Sequence, residues 1–260
     1  MKLTPIPLHI ETYPRELHPL LSDARLYDSS CSPEARVIFI DKDSGYFLKA
    51  APKGALEREA FMTRYFHANG LAANALYYIS DACDWLVTEK IKGDDCVAEA
   101  YLAQPKRLCD TLAERLALLH ATDFTDCPVL NHNALQLASA ASNKKKQMFD
   151  QHIADYWGFK NPEDAWGFAQ THGHLLESNT LLHGDYCLPN IILDDWRFSG
   201  FIDLDTAGVG DRHHDLFWAT WTLFFNLKTD QYRERFIDAY GRARVDEEML
   251  RVIAAIEVFG

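Results

Sequence analysis

The chain has 260 residues, 48% hydrophobic and 25% charged, which suffices to build one large domain or two lobes. A formal charge of −12 argues against nucleic acid, whose recognition selects basic patches, and suits a polycationic small molecule. An apolar run long enough to span a bilayer and an apolar signal core behind Met1-Lys2-Leu3-Thr4 are both missing, so the cytoplasm is expected, with no membrane partner.

Cys31, Cys83, Cys96, Cys109, Cys127 and Cys187 form no C-x-x-C pair and read as reduced thiols. A metal site from His183, Cys187, His213 and His214 has no recognised zinc spacing.

In chain order, residues 1–25 are rich in proline and turns, end in a short helix and say little. Val37–Asp41 and Tyr46–Ala50 then read as two strands around the turn Asp41-Lys-Asp-Ser-Gly45. Alternation places Tyr46, Leu48 and Ala50 on one face, and Phe47 and Lys49 on the other. By itself Lys49 is either a snorkelling surface residue or a phosphate-binding lysine beside an adenine-stacking ring. The next stretch predicts a helix over Gly54–Ala68, stopped by Asn69-Gly70. Leu56, Glu59, Met62 and Phe66 fall on one stripe of it, and an acid on an apolar stripe is costly unless paired. Lys49 is the obvious partner, and such a strand-lysine to helix-glutamate ion pair holds the lysine against nucleotide phosphates in kinases. Leu76–Ile79 and Trp85–Thr88 are two further strands around Ser80-Asp-Ala-Cys-Asp84, and Ile91–Asp95 reads as a linker.

Beyond that linker the pattern turns helical. Pro105 opens an amphipathic helix (Leu108, Leu112, Leu116, Leu119) ending near His120. Asn143–Lys146 is a basic run, Asp150 and Asp155 lie among Tyr156 and Trp157, and Pro162 starts a helix running to about Glu177. Between Leu181 and Asp215 the sequence is most informative. Ile191–Leu193 and Phe198–Ile202 flank a charged turn and predict a β-hairpin. Asp185-x-x-x-x-Asn190 precedes it, and Asp203 ends it. Phosphoryl transfer needs an anionic acceptor for the incoming hydroxyl's proton and oxygen ligands for Mg²⁺, and these three residues supply both. Asp185 and Asn190 taken singly would be ordinary turn formers around Pro189. Asp215 reads as the N-cap of a helix over Leu216–Asn226, and helices over Asp230–Tyr240 and Asp246–Phe259 complete the chain.

The strings His183-Gly-Asp-Tyr-Cys-Leu-Pro-Asn190, Phe198-Ser-Gly-Phe-Ile-Asp203 and Gly208-Val-Gly-Asp211-Arg212-His-His-Asp215 resemble the aminoglycoside 3′-phosphotransferases, antibiotic-resistance enzymes of the protein-kinase-like fold. The resemblance implies a bilobal α+β fold. Residues 1–90 would be a small antiparallel-sheet lobe with one helix, and residues 91–260 a larger, mainly helical lobe.

It also implies the chemistry. ATP or GTP with Mg²⁺ would be the cofactors, and a cationic aminoglycoside phosphorylated on a hydroxyl, the 3′ one, would be the partner of a monomer or homodimer. Asp185 would be the catalytic base, and Asn190 and Asp203 the metal ligands. Lys49 would neutralise phosphate charge, positioned by Glu59, and Phe47 and Ile202 would sandwich the adenine. Backbone at about Thr88 to Lys90 would bond its edge, and Ser30 and Ser32 would belong to a serine-rich phosphate-covering loop, although a plain serine turn reads equally well there. Asp150, Asp155 and the tail residues Glu257, Phe259 and Gly260 would serve substrate amines. His183 and Asp215 would give structural support, Asp215 by bonding the catalytic-loop backbone instead of capping.

This chain departs from the family pattern where Ile256 replaces the first acid of the closing motif, where Gly260 extends it, and where Asp205-Thr206 stands in place of Gly-Arg. The catalytic parts are intact while the substrate parts are altered. A kinase of choline, a sugar or a macrolide, or a silent nucleotide-binding protein, are the alternatives.

Overall fold

Two packing demands shape the N-terminal part of the chain: its strands are apolar on both faces, and each face must be covered. A computed structural model, describing residues 3–31 and 35–260, shows how. Contacts divide the chain into two units, residues 1–93 with 199–205, and residues 94–198 with 206–260.

In the first unit β1 (Thr4–Ile6), β2 (Arg25–Asp28), β3 (Arg36–Asp41), β4 (Tyr46–Pro52), β5 (Ala75–Ser80) and β6 (Cys83–Glu89) form one antiparallel sheet in the order β1-β2-β3-β4-β6-β5. Residues 3–25, nearly mute as sequence, cover one face: Tyr13, Leu17 and Leu21 pack with Leu26, Ile38, Ile40, Leu48 and Val87. Helix α1 (His18–Leu21) lies within this layer. The other face receives helix α2 (Glu57–Ala68), through Leu56 and Ala60 against Ala51, Ala75 and Leu86. The helix begins at Glu57 and not at Gly54, because Ala55 N–H closes a turn on the Pro52 carbonyl (3.0 Å) and Gly54 takes a left-handed φ of +86°.

Asp84, expected in the turn, instead lies inside β6 and is fully buried. Its Oδ2 accepts from the Leu56 N–H (2.9 Å) and the Tyr78 hydroxyl (3.1 Å), satisfying an orphan donor at the start of α2. This carboxylate ties α2 to the sheet. Residues 199–205 join the same unit: Phe201 N–H bonds the Leu71 carbonyl (2.8 Å), and the Phe201 ring meets Phe66 of α2 edge-on at 6.2 Å.

The second unit contains β7 (Asp94–Asp95), α3 (Glu99–Leu102), α4 (Pro105–Leu119), α5 (His132–Lys145), α6 (Gln151–Tyr156), α7 (Pro162–His172), β8 (Thr180–Leu182), β9 (Ile191–Asp194), the start of β10 (Arg197–Phe201), β11 (Gly208–Gly210), α8 (His213–Leu227), α9 (Arg233–Tyr240) and α10 (Glu247–Glu257). The apolar stripe of α4 is buried at Leu108, Leu112, Leu116 and Leu119, as its period requires. The basic run at Asn143–Lys146 proves to be the end of α5, and the helix from Pro162 stops at His172 before a short 3₁₀ turn. Helix α8 starts two residues before Asp215, because Asp211 Oδ1 already accepts the His213 N–H (3.0 Å) and frees Asp215 from capping.

Replacing Asp84 by alanine leaves the Leu56 N–H and Tyr78 hydroxyl without their acceptor. The expected result is a loss of about 1–3 kcal/mol in urea denaturation; unchanged stability would show that Asp84 does not anchor α2.

Candidate active site

The segment between β8 and β9 is held from beneath by one carboxylate. Asp215 is fully buried; its Oδ2 accepts the His183 N–H (2.9 Å) and its Oδ1 the Gly184 N–H (2.7 Å). His120 Nε2 also lies 3.0 Å from Oδ2, and His120 Nδ1 lies 2.7 Å from the Tyr240 hydroxyl. This set is satisfied when His120 donates through Nε2 and accepts the tyrosine hydroxyl at Nδ1. Burial pushes the Asp215 carboxyl up, but the His120 and loop hydrogen bonds more than offset it, leaving it below the usual carboxylate range. Burial drives His120 down despite Asp215, so the ring is neutral.

Gly184 takes φ +86°, and a Cβ there would stand 2.3 Å from the Thr206 carbonyl oxygen, so only glycine fits between Asp215 and Thr206. Tyr186 is buried and donates to the Leu112 carbonyl (2.9 Å), and Leu188 N–H donates to Thr222 Oγ1 (3.2 Å). Asp185 is thus flanked on both sides by anchored backbone while its own carboxylate is partly exposed. Asn190 Nδ2 donates to the Asp185 carbonyl (3.0 Å) and to Asp185 Oδ2 (2.8 Å). That orientation leaves the Asn190 amide oxygen free to act as a ligand.

In the first unit, Lys49 and Glu59 meet as their spacing predicts, Nζ to Oε1 at 2.7 Å, and Lys49 also pairs with Asp203. Burial alone would lower the Lys49 ammonium, but the Glu59 and Asp203 charges override it and hold it well above the usual lysine range. Glu59 is pushed up to about 7 by burial, against the pull of Lys49 and helped by the Asp203 charge. Asp203 itself adopts the left-handed φ of +61°, strained for a residue with a side chain. Two carboxylates therefore compete for one lysine.

The Asn190 amide oxygen in the second unit and the Asp203 carboxylate in the first are each the kind of donor taken by a hard divalent cation such as Mg²⁺, which is bound through few protein side chains and keeps water and phosphate oxygens. The surplus of carboxylate around Lys49 is the local imbalance such an ion relieves. Among the described residues no cluster of three or more His, Cys, Asp or Glu side chains forms a self-sufficient metal site.

The remaining sequence-derived residues fare unevenly. Phe47 is half-buried and Ile202 exposed, both in the first unit. Thr88 is paired within the sheet to Phe47 and Ala75. The N–H groups of Glu89 and Lys90 are committed to the Asn74 (3.1 Å) and Gly45 (3.0 Å) carbonyls. Among the described residues the next amide, Ile91 N–H, has no acceptor, a donor that no side-chain pattern reveals. Ser30 Oγ accepts the Val37 N–H (2.9 Å), so that hydroxyl is engaged with β3, and Ser32 lies outside the described residues.

Asp150 is the N-cap of α6, accepting from the N–H groups of His152 (2.7 Å) and Ile153 (3.1 Å), and Asp155 accepts from Gln151 Nε2 (2.7 Å). Phe259 is buried against Trp166, its carbonyl bonded by Asn143 Nδ2 (2.9 Å), while Gly260 is exposed. Glu257, expected as an amine ligand, is only 3% exposed. Gln136 Nε2 lies 3.4 Å and His214 Nδ1 3.6 Å from its Oε1, and burial, reinforced by the Asp185 charge, pushes its carboxyl up to about 8. Burial likewise pushes His214 down to about 4, so both members of this interior pair are neutral.

The profile of the phosphotransferase enzyme family matches residues 29–252. The chain belongs to that family. It is 51% identical over 254 residues to a probable aminoglycoside 3′-phosphotransferase of Lactococcus lactis subsp. lactis, covering 97% of each chain. To an aminoglycoside 3′-phosphotransferase of Niallia circulans it is 32% identical over 181 residues, 68% of this chain and 67% of that one. In fold it is similar to a crystal structure of an aminoglycoside 3′-phosphotransferase of type VIII, with a TM-score of 0.78 at 23% identity, covering 97% and 99% of the two chains. A Streptomyces rimosus aminoglycoside phosphotransferase, solved with ADP and streptomycin, has a TM-score of 0.70 at 21% identity, with 86% and 91% covered. This phosphotransferase therefore has the α+β protein-kinase-like architecture of those enzymes.

The geometry sets two expected outcomes. Gly184→Ala forces a Cβ against the Thr206 carbonyl at an unfavourable φ; it should cost about 3 kcal/mol or more and most of the activity, read by denaturation and turnover together. For Glu257, the folded acid titrates near 8 against an ordinary 4.5. Its contribution to stability is therefore complete below about pH 4.5 and lost as pH rises to 8. Glu257→Gln cannot ionise, so its melting temperature should fall less than wild type between pH 5 and 8.5; parallel profiles would refute the assignment.

Proposed function

We propose that this phosphotransferase moves the γ-phosphoryl group of ATP to a hydroxyl of an aminoglycoside, the 3′ hydroxyl, with Mg²⁺. The observation that carries the reading is Lys49 held jointly by Glu59 and Asp203, an ion-pair arrangement whose use is to present an ammonium to nucleotide phosphates. The 51% identical relative, named a probable aminoglycoside 3′-phosphotransferase, supports the acceptor class. The charge of −12 suits a polycation. Six free cysteines suit a reducing, cytoplasmic setting.

Each residue has a defined task in this reading. Lys49 neutralises phosphate charge, and Glu59 fixes where its ammonium stands. Asp203 and the amide oxygen of Asn190 would be the ligands of Mg²⁺, which would supply charge neutralisation at the phosphates. Asp185 accepts a hydrogen bond from the acceptor hydroxyl, orients its oxygen toward the γ-phosphorus, and takes its proton as the bond to ADP breaks. Asn190, through its hydrogen bond to Asp185 Oδ2, fixes which carboxylate oxygen remains for the acceptor. Ile91 N–H, with no protein acceptor among the described residues, is the donor this reading assigns to the adenine edge, and Phe47 and Ile202 supply apolar surface for the ring. Because the transition state is loose, positioning and charge neutralisation provide most of the rate.

Asp185→Ala and Asp203→Ala should each lower kcat by about 10³-fold or more with kanamycin and Mg-ATP. Both should keep a wild-type-like circular dichroism spectrum, and neither should protect a sensitive bacterium. Wild-type activity in either variant would reject the reading.

A further inference from the structure

Helix α8 touches the catalytic loop at two places. Asp215 holds the His183 and Gly184 amides, and Thr222 Oγ1 accepts from the Leu188 N–H (3.2 Å). These residues lie seven apart, nearly two helical turns, so the loop from 183 to 188 runs along one face of α8. A third marker lies one residue before Asp215: His214 stands 3.6 Å from Glu257, whose carboxyl is close enough to Asp185 to feel its charge. Trp218 comes four residues after His214 and three after Asp215, and precedes Thr222 by four. All three steps place neighbours on one side of a helix.

Trp218 is thereby set on the flank of α8 that carries the loop contacts of Asp215 and Thr222 and, through His214, faces Glu257. Its neighbours on that helix face, His214, Asp215 and Thr222, are buried, whereas Trp218 is half-exposed. Its ring leans on Phe217, 5.1 Å between centroids at 78°, which braces the indole from one side. The catalytic loop needs no aromatic from α8 for its support, since Asp215, Thr222 and its own Tyr186 anchor it.

We propose that Trp218 is an acceptor-binding residue: its indole face is the platform on which an amino sugar of the substrate lies, with a ring ammonium over the π-system, while its hydroxyl meets Asp185. An indole is the strongest cation–π partner among side chains, and an amino sugar offers both an apolar C–H face and a charge. With Glu257 neutral and buried, the platform supplies an attraction for the cation that needs no ionised carboxylate. This rests on the aminoglycoside reading above.

The test is steady-state kinetics with kanamycin and Mg-ATP on wild type, Trp218→Leu and Trp218→Phe. Leucine keeps apolar contact with Phe217 but removes the π-face. It should raise KM for kanamycin about ten-fold, with KM for ATP and kcat near wild type, and phenylalanine should restore much of the difference. A KM for kanamycin unchanged in Trp218→Leu, or an equal deterioration of KM for ATP and of kcat, would overturn the platform. Should the leucine variant fail to fold, fluorescence decides: kanamycin should quench wild type and leave Trp218→Phe, with its other five tryptophans, unquenched. Equal quenching in both rejects the proposal. If wild type phosphorylates no aminoglycoside, the functional reading itself fails; turnover of kanamycin with an unchanged leucine variant sinks the platform alone.

Discussion

A single buried carboxylate, Asp215, sets the shape on which the chemistry depends. An ionised acid in the interior is tolerated only when its lone pairs are filled, and here two loop amides and His120 fill them. The arrangement works in both directions. The amides satisfy the charge, and the charge fixes the amides, so the next residue, Asp185, leaves the backbone in one direction. Behind Asp215, His120 is kept neutral by burial and is tied to Tyr240, which couples the loop to α9 through three side chains. Gly184 completes the constraint, because the space between Asp215 and the Thr206 carbonyl admits no side chain.

The first unit solves a different electrostatic problem. Lys49 sits where burial would strip its charge, yet two carboxylates keep it protonated. Glu59 is contributed by a helix that Asp84 fastens to the sheet. Asp203 arrives on a segment that Phe201 packs against that same helix. One apolar contact and one buried carboxylate thus place both partners of the lysine. The result has more negative than positive charge, a condition suited to a divalent cation and to phosphates that claim the ammonium.

The acids expected to meet substrate amines lie in unlike surroundings. Glu257 is enclosed with His214 and Gln136, and an acid without an ionic partner in such surroundings holds its proton. Asp150 spends its carboxylate on capping α6, leaving Asp155 as an exposed acid in that region. The half-buried aromatic side chains on α6 and α8 and just beyond α6, Tyr156, Trp157, Trp218 and Trp221, give this part of the unit an apolar and polarisable surface. Such a surface suits the flat faces of amino sugars.

How much of this was legible from the chain alone depended on sequence distance. Asp185, Asn190 and Asp203 lie within one short stretch, so their spacing is itself a geometric statement. The Lys49–Glu59 pair was readable because a strand and the next helix have known periods, and an acid on an apolar stripe demands a partner. The same periodicity defined α4, α2 and most strands to within a few residues. Charge and composition limited the class of ligand. These were properties of local spacing, and local spacing survives folding. The tertiary structure decided what depends on burial. Asp84 looked like a turn residue and became an anchor because β6 carried it under α2. Position alone allowed Asp215 to be a cap, while the family resemblance implied a bond to the loop backbone; the structure has the loop bond, with Asp211 accepting the His213 N–H at the helix start. Glu257 had the type of a ligand and became a neutral interior acid because α10 is buried along its whole final turn. Ile91 N–H stands out only once its neighbours' amides are seen to be occupied. Desolvation and hydrogen-bond satisfaction are set by residues far away in the chain, so no pattern of neighbours in the sequence encodes them.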